Sequence, residues 1–205
     1  MKYQLKKRAE GQRQTRRRIV EAAIALHTEV GPARTSISAI AERAGVQRHT
    51  VYSHFPEELD LAMACSGLHL ELRPLPDPEL LLAIEDGEGR LRAGLEALYA
   101  YYERDEQLLA NVLRDLEFHE LTQTVVQERF GPFYARLHEV LSAGLPARGR
   151  RRPRRDAALG VATSFWTWRA LARDHGLQPI EAADVAAAMV LPQTALSSRN
   201  SARIS

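Results

Sequence analysis

Residues 35–55 read TSISAIAERAGVQRHTVYSHF, and this stretch decides the fold. Ile37, Ile40, Ala41 and Ala44 recur at helical spacing and give a short helix one apolar face. Ser36 stands just before that helix, where a hydroxyl accepts from an otherwise orphaned backbone N–H. Gly45 follows the last periodic residue, where a left-handed C-cap costs glycine least. Val46 plugs the corner, and residues 47–54 form a second helix with Val51 and Phe55 turned inward. The other faces of that helix carry Arg48, His49, Thr50, Tyr52, Ser53 and His54, a set rich in hydrogen-bond donors. The pattern predicts a helix-turn-helix whose second helix can enter a DNA groove.

Outward from this stretch the charge is uneven. Through Pro56 there are 11 Lys/Arg against 4 Asp/Glu, and the remainder has 17 against 22. A net of +7 at one end and −5 over the rest suggests polyanion binding at the amino-terminal end only. With 205 residues, 45% of them apolar, the chain can build one or two domains with a substantial core. Cys65 is the only cysteine, which excludes an internal disulfide and fits a reducing cytoplasm. No apolar run reaches the roughly 18 residues of a membrane span. The segment MKYQLKKRAEGQRQTRRR lacks the apolar centre of a secretory signal. A cytoplasmic protein with no membrane partner is expected.

Helical periodicity dominates the chain and strand signals are almost absent. Ile19, Ala22, Ala23, Leu26 and Val30 make a first helix ended by Gly31-Pro32. A fourth helix over 57–72 is stopped by Pro74, Pro76 and Pro78. A fifth, from about residue 88, carries Leu91, Leu95, Leu98 and Tyr102; a sixth, from about 106, carries Leu109, Val112, Leu113 and Leu116. A seventh, from about 120, carries Val125, Phe130, Phe133, Leu137 and Leu141, and Gly131-Pro132 is expected to kink or interrupt it. Residues 144–153 read as a loop, 155–174 and 180–191 as two more helices, and the tail as disordered. The fold class is all-α, about nine helices, with a helix-turn-helix domain over 1–56, a helical body over 57–196 and a tail over 197–205.

The first 61 residues resemble the DNA-binding domain of the tetracycline-repressor (TetR) family of bacterial transcription regulators. The resemblance rests on Ile19-Val20-x-Ala22-Ala23, Gly31, Thr35-Ser36-Ile37, Ile40-Ala41, Ala44-Gly45-Val46, Thr50-Val51-Tyr52-x-His54-Phe55 and Leu61, matched in spacing as well as identity. It implies a ligand-responsive repressor that binds a palindromic operator in double-stranded DNA as a homodimer. Arg48 opens the recognition helix and is read as a base contact, with phosphate the alternative. His49 serves either role, and Gln47 and Ser53 complete the candidate set. Thr50 and Tyr52 match family positions whose hydroxyls grip phosphate; His54 bonds phosphate or closes the helix; Ser38 matches a position that can reach a base. Thr35 and Ser36 sit at a helix N-terminus that favours phosphate. Arg16, Arg17 and Arg18 precede the first helix and reach the backbone or minor groove, or form a solvated tail. One departure stands out: the family's phosphate-binding lysine at the start of helix four is Glu58 here, next to Glu57.

Beyond helix four the resemblance implies a small-molecule pocket among helices four to eight and a dimer face from the last two. Tyr99, Tyr102, Phe118, His119, Phe133, Tyr134 and His138 supply aromatic bulk with polar handles for an apolar or amphipathic effector, or serve as plain core. Trp166 and Trp168 face different sides of one helix, one core and one interface, and Ala186, Ala187 and Val190 of the small-residue helix AADVAAAMV suit the dimer face. The run RGRRRPRR over 148–155 is read as a solvated loop. His119-Glu120 has Gln123 where a zinc-protease motif needs its second histidine, so no metal is expected. Gly87-Glu88-Gly89 lacks the third glycine of a dinucleotide loop, and no nucleophile motif, cofactor or catalytic residue is predicted. The alternatives are an activator, a ligand-independent DNA-binding protein and, more remotely, an enzyme with a borrowed head.

Overall fold

The protein is described here from a computed structural model covering residues 2–193, among which every regular element is helical. The expected tail over 197–205 lies outside the described residues. The α-helices are α1 (Lys2–Glu29), α2 (Ile37–Ala44), α3 (Arg48–His54), α4 (Glu58–Leu72), α5 (Gly87–Arg104), α6 (Glu106–Asp115), α7 (Glu120–Ala143), α8 (Arg151–Ala162), α9 (Phe165–Arg169) and α10 (Pro179–Val190). Short 3-10 turns lie at Pro32–Arg34, Pro78–Ala83 and Leu191–Gln193. The chain folds into two units, one joining residues 1–74 to 105–131, the other joining 75–104 to the chain from 132 onward.

The first unit grows from the helix-turn-helix. Ser36 caps α2 by accepting from the Ala39 N–H at 3.2 Å, and Gly45 ends the helix at φ 64°, a left-handed conformation that favours glycine. The core gathers Ile19, Val20 and Ala23 of α1, Ile40 and Ala44 of α2, Val51 and Phe55 at α3, and Leu61 and Cys65 of α4. Burial pushes the Cys65 thiol up to about 12, so it is a small apolar core residue rather than a nucleophile.

Helix α6 fastens to the end of α1. Asn111 Nδ2 donates to the Thr28 carbonyl at 2.7 Å, and Arg114 Nη2 to that of Val30 at 2.9 Å. Fully buried Asp115 accepts from the Ala33 N–H at 2.9 Å and pairs with Arg114 at 2.8 Å. Gly31 fits beneath this clamp at φ 95°, where a Cβ would overlap both Arg114 and Asp115.

In the second unit the buried residues are Leu91, Leu95, Leu98, Tyr99 and Tyr102 of α5, Leu137 and Leu141 of α7, Leu159 of α8, Phe165 and Trp168 of α9, and Ala183, Ala186, Ala187 and Val190 of α10. The single helix expected over 155–174 is instead α8, a break at Thr163–Ser164, α9, and a π-helical turn over Ala170–Asp174. The break has a visible cause. Tyr99 Oη donates to the Ala162 carbonyl and Tyr102 Oη to that of Thr163, each at 2.6 Å, satisfying carbonyls freed at the helix end. Ser164 then caps α9 by accepting from the Trp166 N–H at 3.2 Å.

Three further expectations are corrected. Helix α1 starts at Lys2, so Arg16, Arg17 and Arg18 lie inside it rather than ahead of it. Helix α7 continues through Pro132, so of the two outcomes expected there interruption does not occur. Helix α8 begins within the arginine run, and Arg155 is not solvated: it is buried, donates to the Leu145 carbonyl at 2.7 Å and pairs with Asp156 at 2.6 Å.

Candidate functional site

Helix α3 is anchored by Val51 and Phe55, which are 0% and 2% exposed. That anchorage fixes which side chains point outward. Gln47, Arg48, His49, Tyr52 and Ser53 are exposed, while Thr50 and His54 are half-buried. Tyr52 is 43% exposed. Ser53 spends its hydroxyl proton on the Thr50 carbonyl at 2.9 Å. Thr35 does the same toward the Gly31 carbonyl at 2.8 Å, and Ser36 Oγ serves the α2 cap, so both residues shape the helix entrance. Ser38 is exposed on the first turn of α2.

On α1, Arg17 pairs with Glu21 at 2.8 Å, and Arg16 stacks over the Phe55 ring at 4.3 Å. Arg18 is exposed on the same helix. Glu58 and Asp60 occupy the first turn of α4, where carboxylates complement the helix dipole.

The proposed effector residues are distributed over both units. Phe118 and His119 belong to the first, where Phe118 is 66% exposed and His119 Nδ1 bonds Thr122 Oγ1 at 2.8 Å. Tyr99, Tyr102, Phe133, Tyr134 and His138 belong to the second. Tyr102 and Tyr134 share a 2.9 Å hydroxyl bond, burial raises both phenol pKa values, and Phe165 and Trp168 pack around Tyr102. The buried Trp168 Nε1–H has no hydrogen-bond partner among the described residues.

The expected dimer set needs a change of face. Trp168, Ala186, Ala187 and Val190 are fully buried within their own unit and are not available to a partner. Trp166 is 45% exposed, and Val161, Ile180, Val185 and Met189 are the large apolar residues that α8 and α10 leave outside. The periodicity of α10 had identified an apolar helix, but alanine and valine occur on both of its sides.

Residues 19–64 match the family described as bacterial regulatory proteins, tetR family. Over those residues the chain carries the amino-terminal domain of that family. It is 30% identical over 92 residues to the HTH-type transcriptional activator FasR of Mycolicibacterium smegmatis, a match covering 45% of this chain and 42% of that protein. It is 29% identical over 136 residues to the probable acrEF/envCD operon repressor of Escherichia coli K12, covering 63% and 61% of the two chains. The chain thus spans less than two thirds of either relative. Among solved structures it resembles NalD, the secondary repressor of the MexAB-OprM multidrug efflux pump in Pseudomonas aeruginosa, at 26% identity and a TM-score of 0.62, over 92% of this chain and 99% of that one. The all-α architecture with an amino-terminal helix-turn-helix is that of TetR-family structures. Among the described residues no cluster of three or more His, Cys, Asp or Glu is placed to hold a metal, and no helix is long and apolar enough to cross a membrane.

Proposed function

We propose that this protein is a TetR-family transcriptional regulator that binds a palindromic DNA operator as a homodimer and responds to an apolar or amphipathic small molecule. The observation that carries the reading is α3. Two buried residues hold it, while Arg48, His49 and Tyr52 stand exposed on a basic head. Arg48 reads a base edge in the major groove, and Thr50, Tyr52 and His54 grip the backbone. Arg16 and Arg17, presented by α1, add phosphate contacts. Two-fold symmetry places the half-sites about 34–36 Å apart or a multiple of that.

The aromatic group around Tyr102, Phe165 and Trp168 is the effector end of the second unit, and its unpaired indole N–H gives a ligand acceptor something to bond. The effector acts through α4, whose Leu61 and Cys65 lie in the core of the head, and a few kcal/mol of differential affinity releases the operator. The relatives include one protein named an activator and one named a repressor; a bound dimer needs no further contact to block a promoter, which favours repression.

An electrophoretic shift with a palindrome from upstream of the chain's own gene tests the head. Arg48→Ala is expected to cost about 1–3 kcal/mol of operator affinity and to relax specificity at one position. Tyr52→Phe should weaken binding to all sequences alike. Unchanged binding in the double variant would remove α3 from the interface.

A further inference from the structure

We propose that the first unit holds a second binding site, a cleft between α1 and α4 that takes a small amphipathic anion. The inference does not depend on the effector reading above, but the cleft shares Arg16, Arg17 and His54 with the proposed DNA contacts, so its occupant and the operator compete for them. Arg13, Arg16, Arg17 and Val20 share one stripe of α1 at spacings of three and four. Met63, Ala64, Gly67 and Leu68 share the matching stripe of α4, and the two stripes wall a cleft of about 690 Å³. That volume lies within the range of small-molecule pockets.

Charge and floor together specify the occupant. Arg129 of α7 joins the α1 arginines at the rim, its Nη2 donating to the Met63 carbonyl at 3.2 Å, which holds the guanidinium over α4. Arg16 is oriented by stacking on Phe55 rather than by a carboxylate, leaving its guanidinium edge for a ligand. The rim acids are Asp60 and Glu71, fewer than the arginines they face. Beneath lie Val20, Met63, Ala64 and Leu68, an apolar surface with nothing to offer a phosphodiester but well suited to an alkyl or aryl body. Gly67 keeps the wall open: a Cβ there would meet only Arg129 Nη2, at 3.6 Å. The ligand class is therefore a monoanion with an apolar tail, its acid among Arg16 and Arg129 and its tail along α4. His54, the last residue of α3, lines the same cleft, so an occupant would touch the end of the recognition helix.

The test is calorimetric titration of the full chain with decanoate below its micelle concentration, with 1-decanol and acetate as controls for tail and charge. Decanoate is expected to bind while neither control does so comparably. Gly67→Leu, which fills the cleft, and Arg129→Ala, which removes a rim cation, should each weaken decanoate at least tenfold without lowering the melting temperature of the ligand-free protein. Should Gly67→Leu fail to fold, Arg129→Ala and the 1-decanol comparison still decide the matter. Absent decanoate binding, equal binding in the variants, or 1-decanol binding as tightly would overturn the proposal. So would variants that weaken duplex DNA binding while the wild type ignores decanoate, since the cleft would then be a phosphate contact.

Discussion

Glu58 is exposed in the first turn of α4, where it favours the helix N-terminus and opposes a phosphate. Glu58→Lys is expected to tighten DNA binding and to steepen its salt dependence by about one unit of log K against log salt, read from titrations at several ionic strengths. A weaker or unchanged affinity would mean that the start of α4 faces away from DNA. Gly31 makes the opposite kind of residue-scale statement, because its role is conformational. At φ 95° and ψ 159° it occupies a region essentially reserved for glycine, beneath Arg114 and Asp115. Gly31→Ala should cost at least about 2 kcal/mol of unfolding free energy, measured by denaturant titration.

At the scale of elements, helix ends carry much of the information. The caps of α2 are legible because serine before an apolar period and glycine after it are local signals; Ser36→Ala should cost about 1 kcal/mol. The break between α8 and α9 is not legible. Its cause is Tyr99 and Tyr102, more than 60 residues earlier in the chain, whose hydroxyls take the freed carbonyls. Tyr102→Phe should cost about 1–3 kcal/mol, because the Thr163 carbonyl loses that partner and the Tyr134 hydroxyl loses its bond as well. Arg155 teaches the same lesson. Six arginines in eight residues look solvated as a group, yet one of them turns inward to serve carbonyls at the end of α7.

For the whole molecule, two predictions concern stability and assembly. Burial lowers the His27 pKa to about 4, with His119 acting in the same direction and Asp115 against it. The folded state therefore keeps His27 neutral while the unfolded chain protonates near 6.5, and protons favour unfolding across that interval. Stability should be fully present above about pH 6.5 and fall by about 3 kcal/mol as the pH drops toward 4, with His27→Gln flattening that slope in denaturant titrations at several pH values. For assembly, Val185→Glu combined with Met189→Glu should yield a monomer by sedimentation and abolish cooperative operator binding. Unaltered dimers would place the two-fold face elsewhere. The buried alanines of α10 are unsuitable for such a test, since changing them disturbs the core of the unit.

By itself the sequence determined the helix-turn-helix, its caps, its buried anchors and the exposed donors of α3, because each depends on residues within one or two turns of one another. The same locality made the family resemblance readable across residues 19–64 and the basic head visible as charge. Only the tertiary structure decided that α6 joins the head through Asp115, that an arginine-rimmed cleft opens beside α4, and which side of α10 stays outside. Those outcomes depend on partners tens of residues away, and periodicity reports that a helix has an apolar face without naming what the face will meet.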